Sequence, residues 1–371
     1  MQDNESKATA LSFAAIDKIY EEPIPSYEES ENKSKNIVSW GDRDTFPLYL
    51  NDLYETTTTL RTVINTTSDF VVGDEIQSTY GSWAKEVNKT GQTLEELVGD
   101  LSKSYLTYGN AYVQVIRNKA GVPSELYSLS PKYVRTDKDC NIFHYSKDFG
   151  KKYGRTSNIV TYPKFIPEAV DTPASVLMLK TDYDKTYGLP MYISALNDCE
   201  VERALSEFGW NMLTNSFYGS YIIGFNNGIP SDDQKAQLER EIESKFCSYK
   251  NASRILLTFA NGKDNGVELQ KLDIENYADK FNTTQDRASN KIYESFGAHS
   301  ILFGVEKTTT GISFNSDVYK QSFKLYNKMR VMPIQKKIKA MLEKITGIKD
   351  VITITPYTID WGDDEKTETV E

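Results

Sequence analysis

The residue types that most often carry catalysis or bind metals are few in this chain and far apart. It contains two histidines, His144 and His299, and three cysteines, Cys140, Cys199 and Cys247. Because a structural zinc site takes four Cys or His ligands at short spacings, these residues predict no metal centre. An odd number of distant cysteines likewise predicts no disulfide framework. Ordinary packing or surface placement accounts for all five residues.

Motifs for nucleotide binding and hydrolysis are missing as well. The sequence has no G-x-x-x-x-G-K-[ST], no H-E-x-x-H and no G-x-S-x-G. The nearest approach to a phosphate-binding loop, residues 261–266, lacks a hydroxyl residue after its lysine and indicates a hairpin turn between strands. Paired acids at positions 95 and 96, 239 and 243, and 363 and 364 are expected by chance in a chain with 26% charged residues. We therefore expect a structural or binding protein with no catalytic residue and no cofactor.

Composition and charge limit the classes further. The chain has 371 residues, 39% of them hydrophobic, which is enough for a core spread over two or three modules. No apolar run approaches the ~20 residues that cross a bilayer, and the N-terminus lacks a signal-peptide pattern, so a soluble, non-exported protein is expected. The net charge is −10, although residues 307–349 hold ten Lys and Arg against two acids. An acidic protein is a poor match for broad, tight DNA binding; the basic segment could touch phosphates or form a solvated helix face.

Hydrophobic periodicity divides the chain into alternating helical and extended stretches. A polar, acidic start predicts an N-terminal arm, and residues 93–108 begin with a Thr-x-x-Glu capping box. Helices are expected at residues 47–70, 93–108, 193–218, 231–246, 274–296 and 314–345, the last interrupted by a kink near Arg330 because Pro333 cannot donate a backbone hydrogen bond. Strands are expected at residues 111–117, 125–129, 134–136, 142–145, 159–162, 176–179, 221–225, 254–259, 267–272 and 351–355.

Four short stretches, in this order, resemble the portal proteins of long-tailed bacteriophages. The first is Tyr-Gly-Asn-Ala-Tyr at 108–112, continued by Gly-Val-Pro-Ser-Glu-Leu-Tyr at 121–127. The second is Tyr-Gly-Leu-Pro at 187–190, the third is Ser-Phe-Gly-Ala-His-Ser-Ile-Leu-Phe-Gly at 295–304, and the fourth is Met-Pro-Ile-Gln at 332–335. The resemblance covers roughly residues 40–354. Ala298 and His299 depart from it, since the family usually has Val-Pro there.

The resemblance implies an α+β, elongated portal-type subunit of a ring oligomer, usually a dodecamer. By position its parts are a flexible arm (1–39), the N-terminal part of a wing (40–189), a first stem helix (190–219), a clip (220–272), a second stem helix (273–298), a tunnel loop (299–313), a kinked helix with a terminal strand that returns to the wing (314–356) and an acidic tail (357–371). Because about 16 residues follow Thr355, the C-terminal crown of larger portals is expected to be nearly absent.

The resemblance also implies a non-enzymatic role in the virion, at the capsid vertex where DNA is packaged and ejected, after assembly in the host cytoplasm. Expected partners are the terminase large subunit, a head–tail adaptor, the major capsid protein and the double-stranded DNA in the channel, with no membrane. The expected channel residues are Lys307, Thr308, Thr309, Thr310 and Ser313. The expected partner-binding residues of the clip are Asp232, Asp233, Glu239 and Glu243.

Two alternatives remain open from the sequence. A DNA- or nucleotide-processing enzyme could use carboxylates that no motif marks, and divalent-metal-dependent activity would distinguish it. Another head–tail structural protein, such as a capsid subunit, would assemble into closed shells instead of a single ring.

Overall fold

A computed structural model describes residues 9–10, 24–32, 36–83, 85–151, 158–214, 221–225, 231, 233–234, 237, 255–259, 267–271, 277–304 and 316–358. The chain divides into two compact units. The insert unit consists of Met1–Pro23 and Val201–Ala288, and the body unit consists of Ile24–Glu200 and Ser289–Glu371. No helix in the described ranges is long and apolar enough to cross a membrane.

Groups of helices and groups of strands follow one another along the chain. The α-helices are α1 Phe46–Thr56, α2 Thr58–Val72, α3 Leu94–Tyr108, α4 Leu196–Thr214, α5 Tyr277–Ser295, α6 Ser316–Tyr326 and α7 Met332–Thr346. The strands are β1 Thr9–Ala10, β2 Ser30–Asn32, β3 Ile37–Ser39, β4 Glu75–Ser78, β5 Asn110–Arg117, β6 Pro123–Leu129, β7 Val134–Thr136, β8 Ile142–Tyr145, β9 Val160–Pro163, β10 Ala174–Lys180, β11 Tyr221–Phe225, β12 Ile255–Phe259, β13 Val267–Lys271 and β14 Ile352–Thr355.

Helix α3 is the best-predicted element of the body unit. The Thr93 hydroxyl accepts a hydrogen bond from the Glu96 backbone N–H, and the Glu96 carboxylate accepts one from the Thr93 N–H, so the predicted capping box is confirmed. Its apolar stripe, which includes Leu97 and Leu101, is fully buried. Gly109 ends the helix in the left-handed conformation, with φ 71°.

The predicted helix over residues 47–70 is two helices. Thr57, between α1 and α2, has an extended backbone with φ −98° and ψ 111° and is buried. It lies in a run of four threonines, whose β-branched side chains lose rotamer freedom in a helix. The break therefore falls where local helix propensity is lowest.

The described residues of the body unit also form three antiparallel sheets. The order β10-β5-β6 packs β5, buried along almost its whole length, between its neighbours, and β14 pairs with β4. The third sheet has the order β2-β3-β7-β8-β9. Here the structure differs from the predicted arm: β2 and β3 lie inside residues 1–39, yet Val38 is buried and pairs with Thr136 of β7. Ile37 and Val38 are buried, and the burial of their apolar side chains stabilises the pairing of this stretch with the sheet.

The interruption predicted near Arg330 is present as a π-helical segment, Asn327–Val331, between α6 and α7. The Met332 N–H donates to the Asn327 carbonyl, five residues back. Pro333 has no N–H for the carbonyl of Met329, so the regular ladder cannot continue through this turn.

In the insert unit, one sheet has the order β1-β12-β11-β13. Strands β11 and β12 are parallel, and strands β11 and β13 are antiparallel. Ser231 and Gln234 exchange the two hydrogen bonds of a reciprocal N-terminal cap, at 3.1 and 3.4 Å, where the predicted helix at residues 231–246 begins. The predicted strands at 221–225, 254–259 and 267–272 are confirmed to within one residue. Thr9 and Ala10, within the predicted arm, pair with Phe259 and Thr258.

Candidate functional site

The structure describes one of the nine predicted site residues. The expected channel residues Lys307, Thr308, Thr309, Thr310 and Ser313 all lie outside the described residues. Of the clip residues, Asp233 is exposed, whereas Asp232, Glu239 and Glu243 lie outside the described residues.

The motif stretches themselves, by contrast, meet in three dimensions. Asn110, at the start of β5, donates to the Gly188 carbonyl and accepts from the Gly188 N–H, at 2.9 and 2.8 Å. Its amide also donates to the Tyr108 carbonyl at 2.9 Å. The Thr181 N–H donates to the Gly109 carbonyl, and the Thr181 hydroxyl donates to the Leu189 carbonyl. The first and second stretches are thus joined through buried backbone groups, which would be costly to leave unpaired.

Two glycines permit this approach. A Cβ on Gly188 would lie 2.5 Å from the Gly109 carbonyl oxygen and 2.6 Å from the Thr181 hydroxyl. A Cβ on Gly109 would collide with the backbone of Leu189, and Gly109 also has positive φ. Both positions therefore require glycine for space, and Gly109 requires it for backbone conformation too.

Tyr192 connects the third stretch to the first two. Its hydroxyl donates to the Thr107 carbonyl at 2.7 Å, and its ring stacks on Phe296 with centroids 5.7 Å apart. Both rings are fully buried. We call the set formed by residues 107–110, 187–192 and 296–297 the motif junction. It fixes the approach to α4 and the end of α5 within the body unit.

The π-helical segment directly before the fourth stretch packs against the third. A Cβ on Gly297, which has φ 62°, would lie 2.7 Å from Nη2 of Arg330 in the π-helical segment. Gln335 in α7 donates to the Val71 carbonyl at 3.0 Å, which satisfies one of the unpaired carbonyls at the end of α2. The resemblance therefore rests on residues that hold the body unit together.

A buried ionic and aromatic cluster supports the junction from one side. Tyr187 stacks on Trp40 with centroids 4.5 Å apart, and its hydroxyl donates to the Val38 carbonyl at 2.7 Å. The fully buried Arg135 pairs with Asp44 and lies over the Trp40 ring. Burial raises the pKa of the Tyr187 hydroxyl well above its ordinary value, so this group stays protonated as a donor.

The residues that first suggested chemistry have structural roles. Glu96 closes the α3 cap, and Glu95 accepts from the Ile76 N–H at 3.2 Å. The His144 ring bonds to the Thr161 hydroxyl, and His299 accepts from the Ile301 N–H. Among the described residues, no group of three or more His, Cys, Asp or Glu could hold a metal ion.

Sequence reasoning missed the junction's side-chain partners. Asn110 and Gly188 are 78 residues apart, and Arg135 and Asp44 are 91 apart. The local hydrophobic periodicity cannot predict contacts between residues so far apart in the sequence. The one usable signal was a glycine beside a tyrosine in both stretches, at Gly109 and Gly188.

Comparison with known proteins points to one family. A family model described as phage portal protein matches residues 81–354. The probable portal protein of Escherichia phage P2 is 23% identical over 268 residues, which cover 70% of each protein. A chain from the virion of a native gene transfer agent particle has a TM-score of 0.54 at 20% identity, covering 83% of both chains. An HK97 family phage portal protein from Corynebacterium diphtheriae has a TM-score of 0.50 at 10% identity, covering 82% of this chain and 95% of that one.

The structural likenesses show that the α+β fold is of the portal type. The family match contains all of the motif junction, including Asn110, Gly188 and Phe296, and reaches β14. It spans well over half of the chain. The chain therefore belongs to the phage portal protein family.

Proposed function

We propose that this protein is a portal subunit that forms a ring at one vertex of a capsid, through which DNA is packaged and later ejected. The observation that carries the proposal is the family match over residues 81–354, which includes the whole motif junction. A chain from the virion and a chain from the neck of native gene transfer agent particles share the fold, and that neck structure was computed with twelve-fold symmetry. We infer a ring, with a dodecamer as the expected size.

The geometry of the body unit supports this role. A ring subunit that guides DNA must hold its parts in fixed register against the passing strand. The motif junction joins β5 to the entry of α4 and the end of α5 through buried hydrogen bonds of Asn110 and Tyr192 and the stacking of Tyr192 on Phe296. We assign the wing to residues 40–189 and 314–356, the stem helices to 190–219 and 273–298, and the clip to 220–272.

Within this function, the DNA would slide through a channel whose wall does not trap it. The net charge of −10 suits that task, because like charges keep phosphates from binding. We propose that the tunnel loop lines the channel through residues 305–313, since Leu302 before them is buried, and that Lys307, Thr308, Thr309, Thr310 and Ser313 make shallow contacts. Small polar side chains and one cation are compatible with sliding.

The subunit itself would perform no chemistry; ATP hydrolysis would belong to the terminase. We propose that the clip contacts the terminase large subunit during packaging and a head–tail adaptor afterwards, and that the wing contacts the major capsid protein. The proposed clip contacts are Asp232, Asp233, Glu239 and Glu243. Exposed charges such as Asp233 suit contacts that must be exchanged.

The first test is the assembly state of the purified full chain, by mass measurement and negative-stain imaging. We expect closed rings with a central channel. A monomer that persists over a wide range of concentration and salt, and also with capsid protein present, would contradict the proposal. Closed shells would indicate a capsid subunit, and metal-dependent cleavage of DNA by the pure protein would indicate an enzyme.

A further inference from the structure

A cleft of about 630 Å³ lies in the body unit beside β10 and α7. Its lysines come from four separate parts of the sequence and are Lys138, Lys164, Lys180, Lys185, Lys337 and Lys344. Only two aspartates, Asp139 and Asp184, share the lining. The protein has a net charge of −10, but this cleft is locally positive. Such a site favours the binding of an anionic group.

The cleft lysines have only neutral partners in the part of the chain that the structure describes. Lys337 donates to the Tyr105 hydroxyl at 2.7 Å, and Lys180 donates to the carbonyls of Lys185 and Thr186. None of the six forms an ion pair with a described carboxylate, whereas Lys339, on another face of α7, pairs with Asp350 at 2.6 Å. Repulsion among gathered ammonium groups is relieved when an anion enters.

The walls of the cleft narrow the choice of anion. Phe143, Leu177 and Met341 are buried side chains that line it, so its interior is partly apolar. Duplex DNA presents a convex, fully polar phosphate surface that cannot enter a concave space of this volume. A single extended peptide with both acidic and apolar side chains would satisfy the lysines and the walls together.

The chain carries such a peptide after its last described residue, Thr358. Residues 359–371 contain six acids and one lysine, and they open with Ile-Asp-Trp. We propose that this acidic tail occupies the lysine cleft, in the same or a neighbouring copy, with Trp361 against the apolar walls and Asp360, Asp363 and Asp364 near the ammonium groups.

The tail starts within reach of the cleft. Tyr357 packs on Phe70 near the end of α2, where the Val71 carbonyl accepts from Gln335 of α7. Lys344 lies nine residues further along α7, about 14 Å by helix rise. Thirteen extended residues span at most about 45 Å, which covers this distance with a wide margin.

Two measurements on the full chain test this proposal. The first is the acetylation rate of individual lysines, compared between the natural chain and a variant with Asp360→Asn, Asp363→Asn, Asp364→Asn and Glu365→Gln. We expect Lys138, Lys164 and Lys344 to react about three- to tenfold faster in the variant, as loss of about one kcal/mol of ionic contact implies. The exposed lysines Lys119 and Lys147, outside the cleft, serve as controls and should not change.

The second measurement is zero-length carbodiimide cross-linking, which should join tail carboxylates to cleft lysines and not to Lys119 or Lys147. Unchanged acetylation of the cleft lysines, equal changes at cleft and control lysines, or the absence of tail–cleft cross-links would overturn the proposal. Protection of the cleft lysines by added short duplex DNA in the natural chain, with no effect of the tail substitutions, would identify a DNA site instead and would also overturn it.

Discussion

Asn110 and Gly188 exchange two hydrogen bonds across 78 residues of sequence, one from Nδ2 of the Asn110 side chain to the Gly188 carbonyl and one from the Gly188 N–H to Oδ1 of the same side chain. Asn110 is fully buried. An amide side chain can both donate to and accept from the backbone of one residue. The two motif stretches that indicated the family thus recognise one another, and the sheet strand β5 is tied directly to the segment that leads into α4.

The first prediction is that Asn110→Ala destabilises the body unit by about 1–3 kcal/mol, because it leaves the Gly188 N–H and two buried carbonyls without partners. The measurement is the free energy of unfolding in urea. Asn141→Ala is the matched control, since Asn141 is exposed and should change stability by no more than about 0.5 kcal/mol. Equal changes in the free energy of unfolding for the two variants would contradict a stabilising role of the Asn110 side chain in the motif junction.

A second prediction tests the close approach of the two backbones. Gly188→Ala should cost about 3 kcal/mol, because the new Cβ would sit 2.5 Å from the Gly109 carbonyl oxygen. Gly81→Ala is the control, since no atom lies within 4 Å of its Cβ position. Thermal unfolding of both variants measures the difference. If Gly188→Ala were as stable as Gly81→Ala, the junction would have to be more loosely packed than these distances allow.

The sequence predicted those features that depend on residues close together in the chain, and not those that depend on distant residues. Helix α3 was predicted with its cap because Thr93 and Glu96 act over three residues, and the strands of the insert unit were predicted because alternation is local. The break at Thr57 was not predicted, although the four consecutive threonines around it are poor helix formers. Pairings such as Arg135 with Asp44 could not be predicted, because no local pattern states which distant group neutralises a buried charge.

A third prediction concerns pH. Burial lowers the pKa of His144 from its usual 6.5, although the Asp137 carboxylate opposes the shift. Protonation therefore favours the unfolded chain: this contribution is constant above pH 6.5, falls as the pH drops from 6.5 to the lowered folded pKa, and is level below it. His144→Gln should flatten the decline of the urea midpoint over this window. An unchanged decline would mean that other groups carry the acid sensitivity.

The fourth prediction tests the clip and rests on the proposed function. Glu239→Lys with Glu243→Lys should leave rings intact while lowering DNA packaging or tail joining several-fold, because reversed charges repel a partner surface fitted to acids. Glu168→Lys, an exposed acid of the body unit, is the matched control. Packaging and tail-joining assays on assembled particles give the readout. Normal activity of the double variant would place the partner contacts elsewhere.

The last prediction tests the segment between α5 and α6, again on the basis of the proposed function. Residues 305–313 contain one glycine, three threonines, one serine and one lysine, a composition that combines backbone freedom with small polar side chains. If they line the channel, Thr309→Trp should slow packaging by obstruction, and Thr309→Arg should slow it by holding phosphates. Thr309→Ser keeps the size and polarity and should package at the natural rate.

Salt separates the two mechanisms at Thr309. Higher ionic strength should partly restore the arginine variant, because screening weakens phosphate contacts, and should leave the tryptophan variant slow. All three variants are expected to form rings. Natural packaging rates for both bulky variants would remove Thr309 from the channel wall, and loss of rings would make the segment an assembly element instead.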